Sequence, residues 1–339
     1  MFLLRSVTPA DYRDLLALSR ELNTVNLPSH PRDLKRMIAR AVQSFAGELK
    51  RDKPHAQYLF VLEDTEKKRV IGASKIFAQH GSKKKPHLYF QVMHEKVRSK
   101  TLNLSFDRKF YRFKSDSRGY TEIGGLVLHP AYRSHRGKLG KQLSYLRFLF
   151  MAAHPAYFKK KVIAELLPPI HRGVGSTLYN FYGYPLTRLS YREADLLSYK
   201  NKEFILKLFP KSDLYYDILP PEVQRDIEKT GPGSAIARKL LRKIGFRYAE
   251  QVDPFDGGPY DVAPLREIEV VRHTERRVYG GSKREGRGRL VLAMSEGERE
   301  VRACVVSATI RKGEIFFPPS HAALLGLRAG KTVYTYPWS

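Results

Sequence analysis

Between Arg118 and Met151 the chain reads RGYTEIGGLVLHPAYRSHRGKLGKQLSYLRFLFM, the stretch whose residue types and spacing can do chemistry. Arg133, Arg136, Gly137, Lys138 and Gly140 make a basic, glycine-bearing loop immediately ahead of an apolar periodic segment. A helix N-terminus opening from such a loop presents unpaired amides and the positive end of a dipole among cations, which is a seat for a pyrophosphate. Upstream, Glu122 is a carboxylate able to accept a proton. Gly124 and Gly125 permit a bulge that turns a backbone N–H toward a developing oxyanion. Arg118 and Arg133 are cations able to read a terminal carboxylate.

The elements that must position these groups follow from pattern. Tyr120 to Leu128 is a mostly apolar run ended by His129-Pro130, as expected for a strand inside a covered sheet. Leu139, Leu143, Leu146 and Phe150 fall on one face of the following helix. Ahead of this stretch, Phe2 to Val7 predicts a strand. Thr8-Pro9 starts a helix to about Leu22, and a second helix carries Leu34, Met37, Ile38, Ala41, Val42 and Phe45 at three-four spacing. Gln57 to Glu63 and Arg69 to Phe77 predict a hairpin, and His87 to Val97 and Asn103 to Arg112 are extended and aromatic.

Beyond the loop and its helix, Val162 to Leu166 is a short strand. Helices are predicted near Leu178, across Tyr191 to Phe209, after Pro220-Pro221, and from Ser234 to Ile244. Phe246 to Val252 and Leu265 to Arg272 are predicted strands around the turn Asp253 to Pro259. The polar, glycine-rich stretch 274–288 is expected to link a domain spanning 1–273 to a small β-rich subdomain, 289–339.

The 339 residues carry 61 Lys and Arg against 34 Asp and Glu, a net charge of +27. Such a charge favours anionic partners. The cations are nevertheless spread in short runs, and no zinc-knuckle, RNP or basic-zipper pattern occurs, which argues against a dedicated nucleic-acid surface. One cysteine, Cys304, excludes an intrachain disulfide framework and suits a reducing, cytoplasmic setting. No run is long and apolar enough for a membrane span, and no metal-ligand spacing is apparent, so neither a membrane partner nor a metal is expected.

The order of two helices after the first strand, a hairpin, an apolar strand, a basic loop opening a helix and a short strand is that of the acyl-CoA N-acyltransferase fold, a mixed α/β sheet. Longer strings narrow this: LFVLEDTE (Leu59 to Glu66), TEIGGLVLHPAYR (Thr121 to Arg133), RFLFMAA (Arg147 to Ala153), KVIAEL (Lys161 to Leu166), ARKLLRKIGFRY (Ala237 to Tyr248) and DPFDGGP (Asp253 to Pro259). In these strings the chain resembles the bacterial arginine N-succinyltransferase family, including the arginine/ornithine succinyltransferase subunits.

The resemblance implies transfer of a succinyl group from succinyl-CoA to the α-amine of arginine, the entry to arginine catabolism, by a homo- or hetero-oligomeric enzyme. It maps the family's succinyl-CoA-binding leucine onto Leu126 and its catalytic histidine, which precedes a proline, onto Gly231. It also places Pro168-Pro169 where the family carries Arg-Gly. With no imidazole at 231, Glu122 is the first candidate for the base, with His135 and His171 as substitutes. Leu126, Arg133, Arg136, Gly137, Lys138 and Gly140 are expected to hold CoA, and Arg118, Asp253 and Asp256 the charged ends of the substrates. Two alternatives stay open: a changed donor or acceptor, and an inactive relative serving as a binding module.

Overall fold

Helix starts are set by local chemistry. Asp11 closes a capping box with Thr8 ahead of the first helix, and Pro31 occupies the first turn of the second. The computed structural model describes residues 1–22, 27–282 and 288–339. In chain order the elements are β1 (Phe2–Ser6), α1 (Tyr12–Leu22), α2 (Pro31–Phe45), β2 (Gln57–Asp64), β3 (Arg69–Phe77), β4 (His87–Ser99), β5 (Leu104–Asp116) and β6 (Thr121–Leu128). Then come α3 (Leu139–Ala153), β7 (Lys161–Glu165), α4 (Tyr184–Thr187), α5 (Tyr191–Lys200), α6 (Glu203–Leu208), β8 (Leu214–Tyr215), α7 (Pro221–Asp226), α8 (Pro232–Lys243), β9 (Arg247–Val252) and β10 (Pro259–Pro264). The chain closes with α9 (Glu269–Arg272), β11 (Glu275–Ser282), β12 (Arg289–Glu296), β13 (Val301–Arg311), β14 (Glu314–Phe317), α10 (Pro319–Leu324) and β15 (Thr332–Pro337).

Two compact units result, one of residues 1–79, 121–161 and 264–339, the other of 80–120 and 162–263. In the first, β1, β2, β3 and β6 lie in that order, all antiparallel, with β1 also paired to β13. One face of these strands is covered by α1 and α2, whose Leu15, Leu18, Leu34, Met37, Ile38 and Ala41 are buried with Leu59, Val61 and Val127. The predicted stripe of α3 is buried, Leu139, Leu143, Leu146 and Phe150 being at most 3% exposed. In the second unit β7, β10, β9, β4, β5 and β8 are neighbours in that order. The aromatic segments form a hairpin of two 13-residue strands, β4 and β5.

Two expectations change. Leu265 to Arg272 is helical, a single 3-10 turn followed by α9. Leu265 and Ile268 are three apart, so the buried spacing is that of a helical turn. The stretch expected to link two domains contains β11, paired antiparallel to β15 and parallel to β14; residues 283–287 lie outside the described ones. The strands β12, β15, β11, β14 and β13 close on themselves through a β12–β13 pairing around a core that includes Val291, Val306, Ile315, Phe317 and Val333. This C-terminal ring continues the sheet through β13 rather than hanging from a linker. Removing residues 289–339 would strip β1 of a paired neighbour and leave an open hydrogen-bonding edge. The truncated chain is expected to lose its soluble folded form, measured as soluble yield and far-UV circular dichroism against the full chain.

Candidate active site

In the first unit the chemistry gathers on β6. Its register against β3 shifts between Ala73 and Lys75, and Gly125 sits at φ +56, a conformation that L side chains rarely adopt. The glycine pair therefore makes the expected bulge. Leu126, next along, is half-buried, and Glu122 at the start of the strand is only 6% exposed. The charge facing Glu122 is Lys75, fully buried on β3. Burial draws the Lys75 pKa down to about 8, and Glu122 opposes that fall. Behind the bulge lies a second buried cation, Arg147 of α3. It donates to the Gly124 carbonyl at 3.4 Å, to the Ser144 carbonyl at 3.2 Å and to the Ser144 hydroxyl at 2.9 Å. Burial lowers its pKa to about 9, which leaves it charged at neutral pH. Arg147 carries no carboxylate partner among the described residues. Sequence reading missed it, although an arginine four residues after Leu143 on the buried stripe was a signal.

The loop between β6 and α3 holds its shape through its own polar groups. Arg133 donates to the Leu128 carbonyl at 3.2 Å, and His135 Nδ1 accepts from the Gly137 amide at 3.0 Å. Lys138 takes a left-handed φ of +53, and Gln142 donates back to the Gly137 carbonyl at 2.8 Å. His135 is thus a turn former. Arg133, Arg136 and Lys138 are exposed around the start of α3. A Cβ at Gly140 would meet nothing within 4 Å among the described residues, so the space beside the start of α3 is open there.

In the second unit carboxyls gather instead. Asp253 caps its own turn, accepting from the Phe255 amide at 2.6 Å, the Asp256 amide at 3.2 Å and the Tyr260 hydroxyl at 2.8 Å. Asp256 accepts from the Gly258 amide at 2.8 Å and from Tyr191. A Cβ at Gly258 would lie 2.3 Å from the Leu166 carbonyl, so the DPFDGGP turn is held close to the end of β7. Asp195 of α5, unmarked in the sequence, joins them. Burial, then the charge of Asp253, lifts its pKa to about 7, against the pull of Lys202. Asp256 is raised well above the ordinary range by burial and by Asp253, Asp195 and Glu165. Arg118 lies in this unit, exposed, its backbone amide bonded to Asp116 at 2.7 Å, and not on the loop with Arg133.

His80, His87 and Glu165 also meet here, a grouping with no short-range spacing to announce it. His87 is fully buried, and neither ring nitrogen has a hydrogen-bond partner in the protein. Leaving a buried polar group unsatisfied costs about 1–3 kcal/mol. Burial, then the His80 and Lys202 charges, push its pKa down to about 2, so the ring is neutral.

Gly231 caps α8 and donates its amide to the Leu167 carbonyl at 2.8 Å. A Cβ there would lie 2.3 Å from the Pro168 carbonyl oxygen. Three residues beyond Pro168, His171 bonds Asp226 at 2.7 Å, and Thr177 donates to the same oxygen at 3.1 Å. Against burial, which would raise it, hydrogen bonds from His171, Thr177 and Arg225 hold the Asp226 carboxyl below its ordinary value. His171 is therefore a half-exposed imidazole oriented by a buried carboxylate.

The family described as the arginine N-succinyltransferase beta subunit matches residues 2–270. The chain belongs to the arginine N-succinyltransferase family. Arginine N-succinyltransferase of Yersinia enterocolitica is 33% identical over 338 residues, covering 98% of this chain and 96% of its own. The subunit beta of the Pseudomonas aeruginosa enzyme is 31% identical over 340 residues, with 99% and 98% covered. The solved structure of arginine/ornithine succinyltransferase subunit AI from Pseudomonas aeruginosa superposes with a TM-score of 0.86 at 24% identity over 99% of this chain and 98% of that one, which shows the acyl-CoA N-acyltransferase fold. No described helix is long and apolar enough to cross a membrane. The sequence resemblance expects a histidine at position 231, where the Gly231 backbone packs directly against the Pro168 carbonyl. Gly231→His is therefore expected to lower Tm by several degrees, because a side chain meets a backbone oxygen. It should leave the rate of acyl transfer no higher, a result read from thermal melts and initial rates together.

Proposed function

We propose that this protein transfers the succinyl group of succinyl-CoA to the α-amine of L-arginine in the cytoplasm. Membership of the family over residues 2–270 carries the reading. Two charge arrangements support it. The donor is anionic at its phosphates and its succinyl carboxylate, and the first unit offers the exposed Arg133, Arg136 and Lys138 around the start of α3, with Leu126 on β6. The acceptor is cationic, and the second unit gathers the carboxyls of Asp195, Asp253 and Asp256, of which Asp195 and Asp256 are raised by burial and by the neighbouring charge of Asp253.

In the reaction the amine nitrogen attacks the thioester carbon. An N–C bond forms, the C–S bond breaks, and CoA leaves as a thiolate that takes up a proton. Glu122 accepts the proton from the amine, and the buried ammonium of Lys75 favours its ionised, basic form. The bulge at Gly124-Gly125, with the Arg147 charge behind it, favours the oxyanion. A second reading of the proton acceptor rests on the 2.7 Å contact of His171 with Asp226, in which a buried carboxylate orients an imidazole.

The assay is release of CoA thiol from succinyl-CoA on addition of arginine or ornithine, with acetyl- and propionyl-CoA as competing donors. Release that never depends on an added amine would overturn the reading. Glu122→Gln is expected to lower kcat by about 100-fold or more with little change in KM for succinyl-CoA. A kcat untouched by Glu122→Gln but lost in His171→Ala would assign the proton to the His171–Asp226 pair.

Asp195 yields a pH test. Its folded pKa, about 7, is raised above the ordinary 3.8, so below pH 7 it is neutral and offers a guanidinium little. KM for arginine should therefore fall as pH rises from about 6 to 8. The stability sign runs the other way: between the two pKa values the folded state holds the extra proton, so stability falls as pH rises. Asp195→Asn should flatten the KM profile, raise KM and raise Tm at pH 8, a combination that loss of a merely structural contact does not give.

A further inference from the structure

We propose that His80, His87 and Glu165 form a binding site for a divalent transition metal ion of the zinc class. The geometry is the first argument. Glu165 Oε1 lies 3.6 Å from His80 Nε2 and 3.7 Å from His87 Nδ1, and the ligand atoms of all three residues fall within 4.8 Å of one another. Those separations are too long for hydrogen bonds. A tetrahedral ion bound at about 2.0–2.1 Å sets its ligand atoms about 3.4 Å apart, so a small inward movement of each side chain closes the site.

The second argument is His87 itself. It opens β4, its side chain is 1% exposed, and both ring nitrogens lack a partner in the protein. The His80 ring lies edge-on at 4.6 Å, and those of Tyr89 and Tyr260 lie at 5.2 Å. A fold that seals an imidazole among rings leaves its lone pair one direction of use, toward Glu165.

The supports are stiff. The His80 amide donates to the Tyr120 carbonyl at 2.7 Å, and the Leu166 amide, next to Glu165, donates to the Pro259 carbonyl at 3.2 Å. Two imidazoles and one carboxylate select a borderline ion such as Zn²⁺ or Co²⁺ over Mg²⁺ or Ca²⁺, which prefer all-oxygen sets. Three protein ligands leave one tetrahedral position for a water or an anionic group. The proposal does not rest on the acyl-transfer reading, because its readout is metal binding.

The test is titration of the untagged, chelator-stripped full chain with Co²⁺, followed through the visible d–d absorbance of a tetrahedral ion, and displacement by Zn²⁺. One ion per chain is expected. His80→Ala and Glu165→Gln should each weaken binding at least about tenfold, while His55→Ala, at a surface histidine paired with Asp52, leaves it unchanged. Metal-free melting curves establish that the variants are folded, and if His80→Ala is not, the isosteric Glu165→Gln decides. Absence of tetrahedral absorbance in the parent protein, or binding of equal strength in both ligand variants, would overturn the proposal.

Discussion

A carboxyl crowded by other carboxyls in a dry turn keeps its proton until a cation arrives, and this constraint governs the second unit. Asp253 spends its lone pairs on its own turn and on Tyr260, which fixes the carboxyl in place. Asp256 and Asp195 then titrate in that field, and both are raised. Such a cluster is a poor way to stabilise a fold, since each buried charge opposes the next. It is a good way to hold a site in readiness for a guanidinium. The first unit shows the opposite sign. Its buried cations are Lys75 and Arg147, and both lie against β6. Each unit thus stores the charge that one of the two proposed substrates would neutralise.

Gly231 illustrates why a missing side chain is not always a lost function. A glycine in place of a catalytic histidine reads, on sequence, as a deletion of chemistry. In the folded chain the backbone at 231 has closed onto Pro168, so the space a side chain would need is filled by a carbonyl. Positions 231 and 168–169 touch, so a side chain restored at 231 alone would meet the Pro168 carbonyl. The same loop then delivers His171 onto Asp226.

What was legible in the sequence was local. The strand, basic loop and helix from Thr121 to Ala153 could be read because period, proline and glycine all act within a few residues, and the bulge could be read from two adjacent glycines. The Asp253 to Pro259 turn was legible for the same reason. Leu265 to Arg272 was misjudged because four or five apolar residues do not separate a helical turn from a short strand. Residues 275–282 looked like linker because β11 is rich in arginine and glycine, and only pairing with β14 and β15 makes it a strand. Asp195, Arg147 and the His80, His87 and Glu165 group stayed hidden because their meaning lies in distance across the fold, which no spacing encodes.

The net charge of +27 takes on a narrower meaning against these sites. Most of it is exposed, where solvent and salt screen it and where it steers anions without fixing any one of them. Two cations against β6 are buried instead, Lys75 and Arg147. Lys75 sits fully enclosed beside Glu122, and its pKa of about 8 shows that the carboxylate does not fully offset the loss of water. A further negative charge brought to β6, whether a thioester oxyanion or a succinyl carboxylate, would relieve that deficit. The bulge, the buried ammonium and the buried guanidinium then act in one direction, each favouring the anionic state that acyl transfer must pass through.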